Sequence, residues 1–104
     1  MSITRIYSRT FQNEQHAEMS ISIASEKLKL AIDKSQGMAV CKIYQNPEIK
    51  HQIITVWEYA SEEDMKKVQK SIKEVEAAAY QESLNPKVIS YTGVLKFSHA
   101  SEKD

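Results

Sequence analysis

Glycine and proline are almost missing from this chain, with two of each in 104 residues. That scarcity excludes collagen-like repeats and flexible or proline-rich linkers, which are built from those residues. A single cysteine, Cys41, cannot close an intrachain disulfide. No apolar run approaches the roughly 20 residues that span a bilayer, so membrane insertion is not expected. An excess of one charge is also lacking: fourteen Lys plus Arg balance fourteen Asp plus Glu. Without a net positive field there is little to collect a phosphate backbone, and nucleic acid is not an expected partner. The N-terminal residues do not read as a charged leader followed by an apolar segment, and together with the lone thiol this makes a reducing cytoplasm the expected location.

What is present suits one globular unit. Apolar residues make up 41% and charged residues 27% of the chain, which is enough to build one core and keep it in solution. The expectation is one domain over 1–104, with a polar tail from about 99 to 104.

The periodicity of apolar residues changes several times along the chain. "SITRIYSRTF" is rich in β-branched and aromatic residues and reads as a strand. Its odd positions place Ile3, Tyr7 and Phe11 on one side together with Arg5 and Arg9. From Ala17 the spacing becomes three and four through Ile21, Ala24, Leu28, Ala31 and Ile32, the stripe of a helix expected to end in a left-handed cap at Gly37. "MAVCKIYQ" and "HQIITVWEY" then alternate as two strands around an Asn-Pro turn, which suits an antiparallel hairpin. Ser61 is a good N-cap, with Asp64 three residues on and Glu62 and Glu63 at the positive end of the helix dipole. The stripe Met65, Val68, Ile72, Val75 and Ala79 predicts one helix running from there to Asn85-Pro86. "KVISYTGVLKFSH" predicts a last strand with Ile89, Tyr91, Leu95 and Phe97 on one side.

Strand, helix, strand, strand, helix, strand is the order of a ferredoxin-like α+β sandwich, in which two helices cover one face of a four-stranded antiparallel sheet. Large side chains at both parities leave the other face apolar as well, and pairing with an identical sheet would cover it. A homodimer is therefore expected. In "SQGMAVCKIYQNPEIKHQIITVWEYASEEDM" a helix-ending Gly leads into a hairpin, the hairpin ends in a Trp, and Ser-Glu-Glu opens the next helix. On those residues the chain resembles the dimeric α/β-barrel superfamily, in particular proteins similar to antibiotic-biosynthesis monooxygenases, over about residues 3–98. The resemblance implies a dimeric barrel and admits cofactor-free oxygenases of polyphenolic substrates, haem-degrading enzymes, isomerases and proteins with no known reaction.

Candidate ligand-binding residues follow from parity and from this resemblance. Trp57 matches a tryptophan that such enzymes place beside their pocket, where a flat ring stacks on an aromatic ligand. The simpler role is core packing beneath the second helix. Tyr59 shares its parity. Tyr7 lies with Arg5 and Arg9, the only arginines of the chain, whose planar donors suit an anion or phenolate; ion pairs at a sheet edge or dimer interface are the alternative. His16, His51 and His99 form no spaced metal motif, and no metal site is expected. Haem degradation in the superfamily uses a histidine of the second helix, yet none occurs between Ser61 and Ser83. The first strand also lacks the asparagine that steers oxygen there. No cofactor is expected. Cys41 reads as a small buried residue and Lys66, Lys67, Lys70 and Lys73 as a solvated helix face.

Two functions fit. One is a cofactor-independent, monooxygenase-like enzyme acting on a small aromatic or quinone-like molecule, with Trp57 orienting the ring, Tyr7 or Tyr59 binding a phenolate, and Arg5 or Arg9 stabilising charge. The other is a non-catalytic dimeric ligand-binding or stress-related module. They diverge on whether these side chains converge on a cavity or point to different faces.

Overall fold

The computed structural model describes residues 2–102. Its elements run β1 (Ile3–Thr10), α1 (Glu14–Ser35), β2 (Ala39–Gln45), β3 (Gln52–Tyr59), α2 (Glu62–Glu74), α3 (Ala79–Ser83) and β4 (Lys87–Val94). The four strands form one sheet in the order β2-β3-β1-β4, every neighbouring pair antiparallel. This is the ferredoxin-like sandwich that the alternation of periodicities predicts. Of the polar tail expected over 99–104, Lys103 and Asp104 lie outside the described residues, as does Met1 of the expected 1–104 domain.

Register fixes which side chains share a face. Ile3, Arg5, Tyr7 and Arg9 stand opposite Tyr59, Trp57, Thr55 and Ile53, so these eight side chains project from the same side of the sheet. The helices cover that side. Trp57, Tyr59, Ala24, Leu28, Ala31, Val68 and Ala77 form the main core, while Phe11, Ala17 and Ile53 form a second cluster. The core-facing stripe of α1 is made of small residues, including Ala17, Ser20, Ala24 and Ala31, which lets helix and neighbours approach closely. Two buried polar contacts pin the helices: Ser71 Oγ donates to the Ala31 carbonyl at 2.6 Å, and Gln81 Nε2 donates to Ser20 Oγ at 3.0 Å.

Among the described residues no helix lies on the opposite face. Ile6, Ser8, Ile54 and Val56 belong to it, flanked by Tyr44 on β2 and Ile89 and Tyr91 on β4. Val40, Tyr44, Ile89 and Tyr91 on this face are exposed. All of β4 is exposed on both faces, so the helices stop short of that edge.

Several boundaries differ from expectation for identifiable reasons. Helix α1 starts three residues before Ala17, because Asn13 Oδ1 accepts from the His16 amide at 2.8 Å and caps it. Its left-handed cap is Gln36, φ 58°, not Gly37. Gly37 is needed for proximity instead: a Cβ there would lie 3.0 Å from the Asp64 carbonyl oxygen and 3.2 Å from Val68 Cγ2. Ser61 caps α2 as expected, accepting from the Asp64 amide at 3.1 Å. The Asp64 carboxylate in turn accepts from the Ser61 hydroxyl at 2.7 Å and from the Met38 amide at 3.0 Å.

The single helix expected from Ser61 to Asn85 is broken. Glu76 adopts φ 52°, its amide donates to Lys73 O, and the Ala77 amide donates to Ile72 O. Those two bonds are the paired closure of a Schellman motif, which ends α2. The break lays Ala77 in the core and turns Gln81 toward Ser20. The last strand stops at Val94 rather than near His99. Leu95 still donates to Ser2 O at 3.2 Å, one residue ahead of β1.

Candidate ligand-binding cleft

A cleft of about 930 Å³ opens between the helix-side face of β1 and β3 and the inner side of α2 and α3. Arg5, Tyr7, Arg9, Trp57 and Tyr59 all line it. Parity brings the first three together, since residues two apart on a strand share a side, and the antiparallel register sets them against β3. The five residues singled out in the sequence thus converge on one cavity.

Their contributions differ. Trp57 and Tyr59 are 3% and 2% exposed, with rings stacked 5.7 Å apart at 3°. They form the packed floor of the cleft and belong to the core as well. Tyr7 stands between two cations. The guanidinium carbons of Arg5 and Arg9 lie 5.6 and 4.8 Å from its ring centroid, within cation–π range. Neither guanidinium makes an ion pair or hydrogen bond with a described residue, and the buried Nε of each has no partner. The ion-pair role weighed for the arginines is not realised within the described residues of the protomer.

Electrostatics follow from burial. Burial pulls the Arg9 pKa below the usual arginine value, an effect partly offset by Tyr7 and then Glu82. Burial likewise pushes the Tyr59 phenol well above the ordinary tyrosine range, with Tyr7 adding to the rise and Arg5 opposing it. Tyr59 is therefore a neutral hydroxyl at physiological pH, a donor rather than a base.

The far wall was not legible as part of a site. Gln69, Ile72, Glu76, Gln81 and Glu82 line it, placed there by the break after α2. Lys66, Lys70 and Lys73, read as a solvated face, stand on the cleft's rim as well. Lys66 also meets Glu62 at 3.6 Å, Lys67 meets Glu63 at 3.7 Å and Lys70 meets Glu74 at 3.9 Å. No signal in the sequence marked Gln81, a residue that looks like ordinary helix surface.

The histidines stand apart from the cleft lining. His16 falls in the first turn of α1. The His51 carbonyl accepts from Phe11, and His99 follows β4. Among the described residues no group of three or more His, Cys, Asp or Glu side chains is placed to hold a metal ion. No helix among them is long and apolar enough to cross a membrane. Cys41, opposite Trp57 in the sheet, borders a smaller hollow of about 240 Å³ with Leu28, Ile32 and Ile43.

Fold and cleft together define the class: a ferredoxin-like sandwich with its ligand-sized cavity between helices and sheet. Solved structures match the fold over nearly the whole chain. A dimeric ferredoxin-like protein from an uncultured marine organism superposes with a TM-score of 0.77 at 19% identity, covering 97% of this chain and 93% of its own. SnoaB, a cofactor-independent oxygenase from Streptomyces nogalater, gives 0.74 at 6% identity, covering 93% and 95%. A candidate antibiotic biosynthesis monooxygenase from Chloroflexus aurantiacus gives 0.72 at 17% identity, covering 96% and 98%. No protein-family model matches the sequence, and no curated protein matches it. At these identities the likeness is one of fold, and it bears out the resemblance to dimeric ferredoxin-like and antibiotic-biosynthesis-monooxygenase-like proteins at that level.

Proposed function

We propose that this chain is a single-domain homodimer whose cleft binds a compact aromatic or quinone-like molecule and oxygenates it without a cofactor. The observation that carries the reading is the convergence of Arg5, Tyr7, Arg9, Trp57 and Tyr59 on one cavity. A pocket with apolar walls and a few convergent polar groups is the usual form of a small-molecule site. The fold shared with a cofactor-independent oxygenase supports the reaction class by analogy only.

In the proposed reaction an activated CH2 of the substrate ring system gives up one proton to solvent as it enters the cleft, and the resulting carbanion passes an electron to dioxygen. Recombination forms a C–O bond. The peroxide takes up one proton from solvent, and its breakdown with loss of the second hydrogen of that carbon leaves one oxygen in the product as a carbonyl and releases the other as water. The protein orients the ring against the aromatic floor, holds the cavity dry, and sets Arg5 and Arg9 beside the developing anion. Tyr59, held neutral by burial, serves as a donor. Haem is not proposed as a substrate, since α2 carries no histidine.

Dimerisation is proposed through the helix-free face of the sheet, where exposed apolar side chains stand together. The second reading, a binding module without chemistry, is favoured by one feature: the cleft lining contains no histidine, and its carboxylates are limited to Glu76 and Glu82. Incubating the protein with polyphenols under oxygen separates the two. Saturable quenching of Trp57 with oxygen uptake supports the enzyme, quenching without uptake supports the module, and no saturable quenching by any aromatic compound sinks both.

A further inference from the structure

We infer that the natural ligand carries an acidic group: an aromatic or quinoid carboxylate whose carboxylate is taken by Arg5 and Arg9. This rests on the cleft being a ligand site. Removing a guanidinium from water is costly unless a counter-charge or acceptors replace the lost hydration. Here two guanidiniums on one strand face make no ion pair or hydrogen bond with a described residue, and the Nε of each is buried without an acceptor. Their contacts with the Tyr7 ring at 5.6 and 4.8 Å are cation–π contacts that offset only part of that cost. The carboxylates facing them across the cleft, Glu76 and Glu82, do not come within ion-pair distance.

The missing acceptor is anionic, and its shape follows from its surroundings. A planar fork of N–H donors matches a planar carboxylate. Tyr7, Trp57, Tyr59, Leu28 and Ile72 line the rest of the space with rings and aliphatic groups, which suits the flat apolar body of an aromatic acid. Lys66, Lys70 and Lys73 on the rim attract a ligand already charged in solution. A carboxylate is ionised at neutral pH, whereas a phenol must first lose a proton.

The test is calorimetric titration with 2-naphthoate and its neutral isostere 2-naphthamide, using the wild type, Arg5→Gln, Arg9→Gln and Arg9→Lys. Naphthoate is expected to bind at least about tenfold more tightly than naphthamide, the worth of one charge-assisted hydrogen bond. Each Gln variant should lose that preference, its affinity for naphthoate falling at least about tenfold further than its affinity for naphthamide, and Arg9→Lys should keep part of it. If the Gln variants fail to melt cooperatively, salt titration of the wild type decides, because only the naphthoate advantage should shrink as ionic strength rises. Equal affinity for the two compounds, or equal loss of both in the arginine variants, overturns acid recognition and leaves the cleft standing as an aromatic site. Binding of neither compound at millimolar concentration removes the cleft reading as well.

Discussion

The rings of Trp57 and Tyr59, two residues apart on β3, lie parallel within 3° with centroids 5.7 Å apart, both almost wholly buried. They form a slab that is at once core and cleft floor. Trp57→Ala is expected to destabilise the protein by about 3–5 kcal/mol through lost burial and the cavity left behind. Trp57→Phe should cost less stability yet still weaken binding of planar aromatics. Chemical denaturation of both variants beside ligand titration checks this; binding unchanged in Trp57→Phe would make the residue core alone.

Gln81 and Ser20 hold α3 against α1 through a buried hydrogen bond. Gln81→Ala leaves the Ser20 hydroxyl buried without its donor, expected to cost about 1–3 kcal/mol. The pair Gln81→Leu with Ser20→Ala removes both polar partners and should recover part of that loss. A double-mutant cycle in urea measures the coupling, and strict additivity would show that α3 is held by other contacts.

Burial pushes the Cys41 thiol up to about 11, with Arg9 opposing the rise. The folded state therefore prefers the protonated thiol. The stabilising contribution is complete below the ordinary cysteine value of 9.0 and is lost as pH climbs toward about 11. Denaturation midpoints should fall across that window, less so in Cys41→Ala, and the wild-type thiol should react slowly with alkylating reagents at pH 8. Rapid alkylation of the folded protein would contradict the burial argument.

Glu76 occupies the left-handed position that closes α2, at φ 52°. Glycine is the usual residue there because an L side chain costs roughly 1–2 kcal/mol in that conformation. Part of that gain is offset by the extra freedom glycine gives the unfolded chain. Glu76→Gly is expected to raise stability by about 0.5–1 kcal/mol. It also removes one of two carboxylates from the cleft and should tighten aromatic acids relative to their amides. A lower melting temperature would mean that the Glu76 side chain makes a contribution exceeding its backbone strain.

Tyr91, 65% exposed on the helix-free face, stands opposite Ile6. Tyr91→Lys places a charge where the partner sheet is proposed to lie. Sedimentation at micromolar concentration should show a dimer for the wild type and a species near 11.9 kDa for the variant. An 11.9 kDa wild type would overturn the barrel.

The strand side of the cleft was legible from alternation together with the family resemblance that pointed to Trp57. Arg5, Tyr7 and Arg9 fall on one parity, and Trp57 and Tyr59 share another, so period-two spacing grouped them before any contact was known. The helix side was not. "EAAAY" after Val75 favours helix in every local respect, Ala being the best helix former, and the break at Glu76 arises from where Ala77 and Gln81 must pack. The residues that the break redirects, Glu76, Gln81 and Glu82, are those the sequence left unassigned. Gly37 taught a similar lesson: a glycine after a helix suggests a left-handed cap, but close approach to Asp64 and Val68 is its actual demand.

The exposure of β4 reaches beyond the cleft. One rim of this strand is bonded to β1, and the other, at the margin of the sheet, presents a row of outward main-chain donors and acceptors. Lys87 is the only charged side chain along "KVISYTGV", whereas margins that resist self-association usually carry several charges, a proline or a bulge. Concentrated or gently heated protein should consequently lengthen sheet by sheet from this margin, giving ordered β-rich assemblies, and a second lysine at Ser90 or Thr92 should delay them.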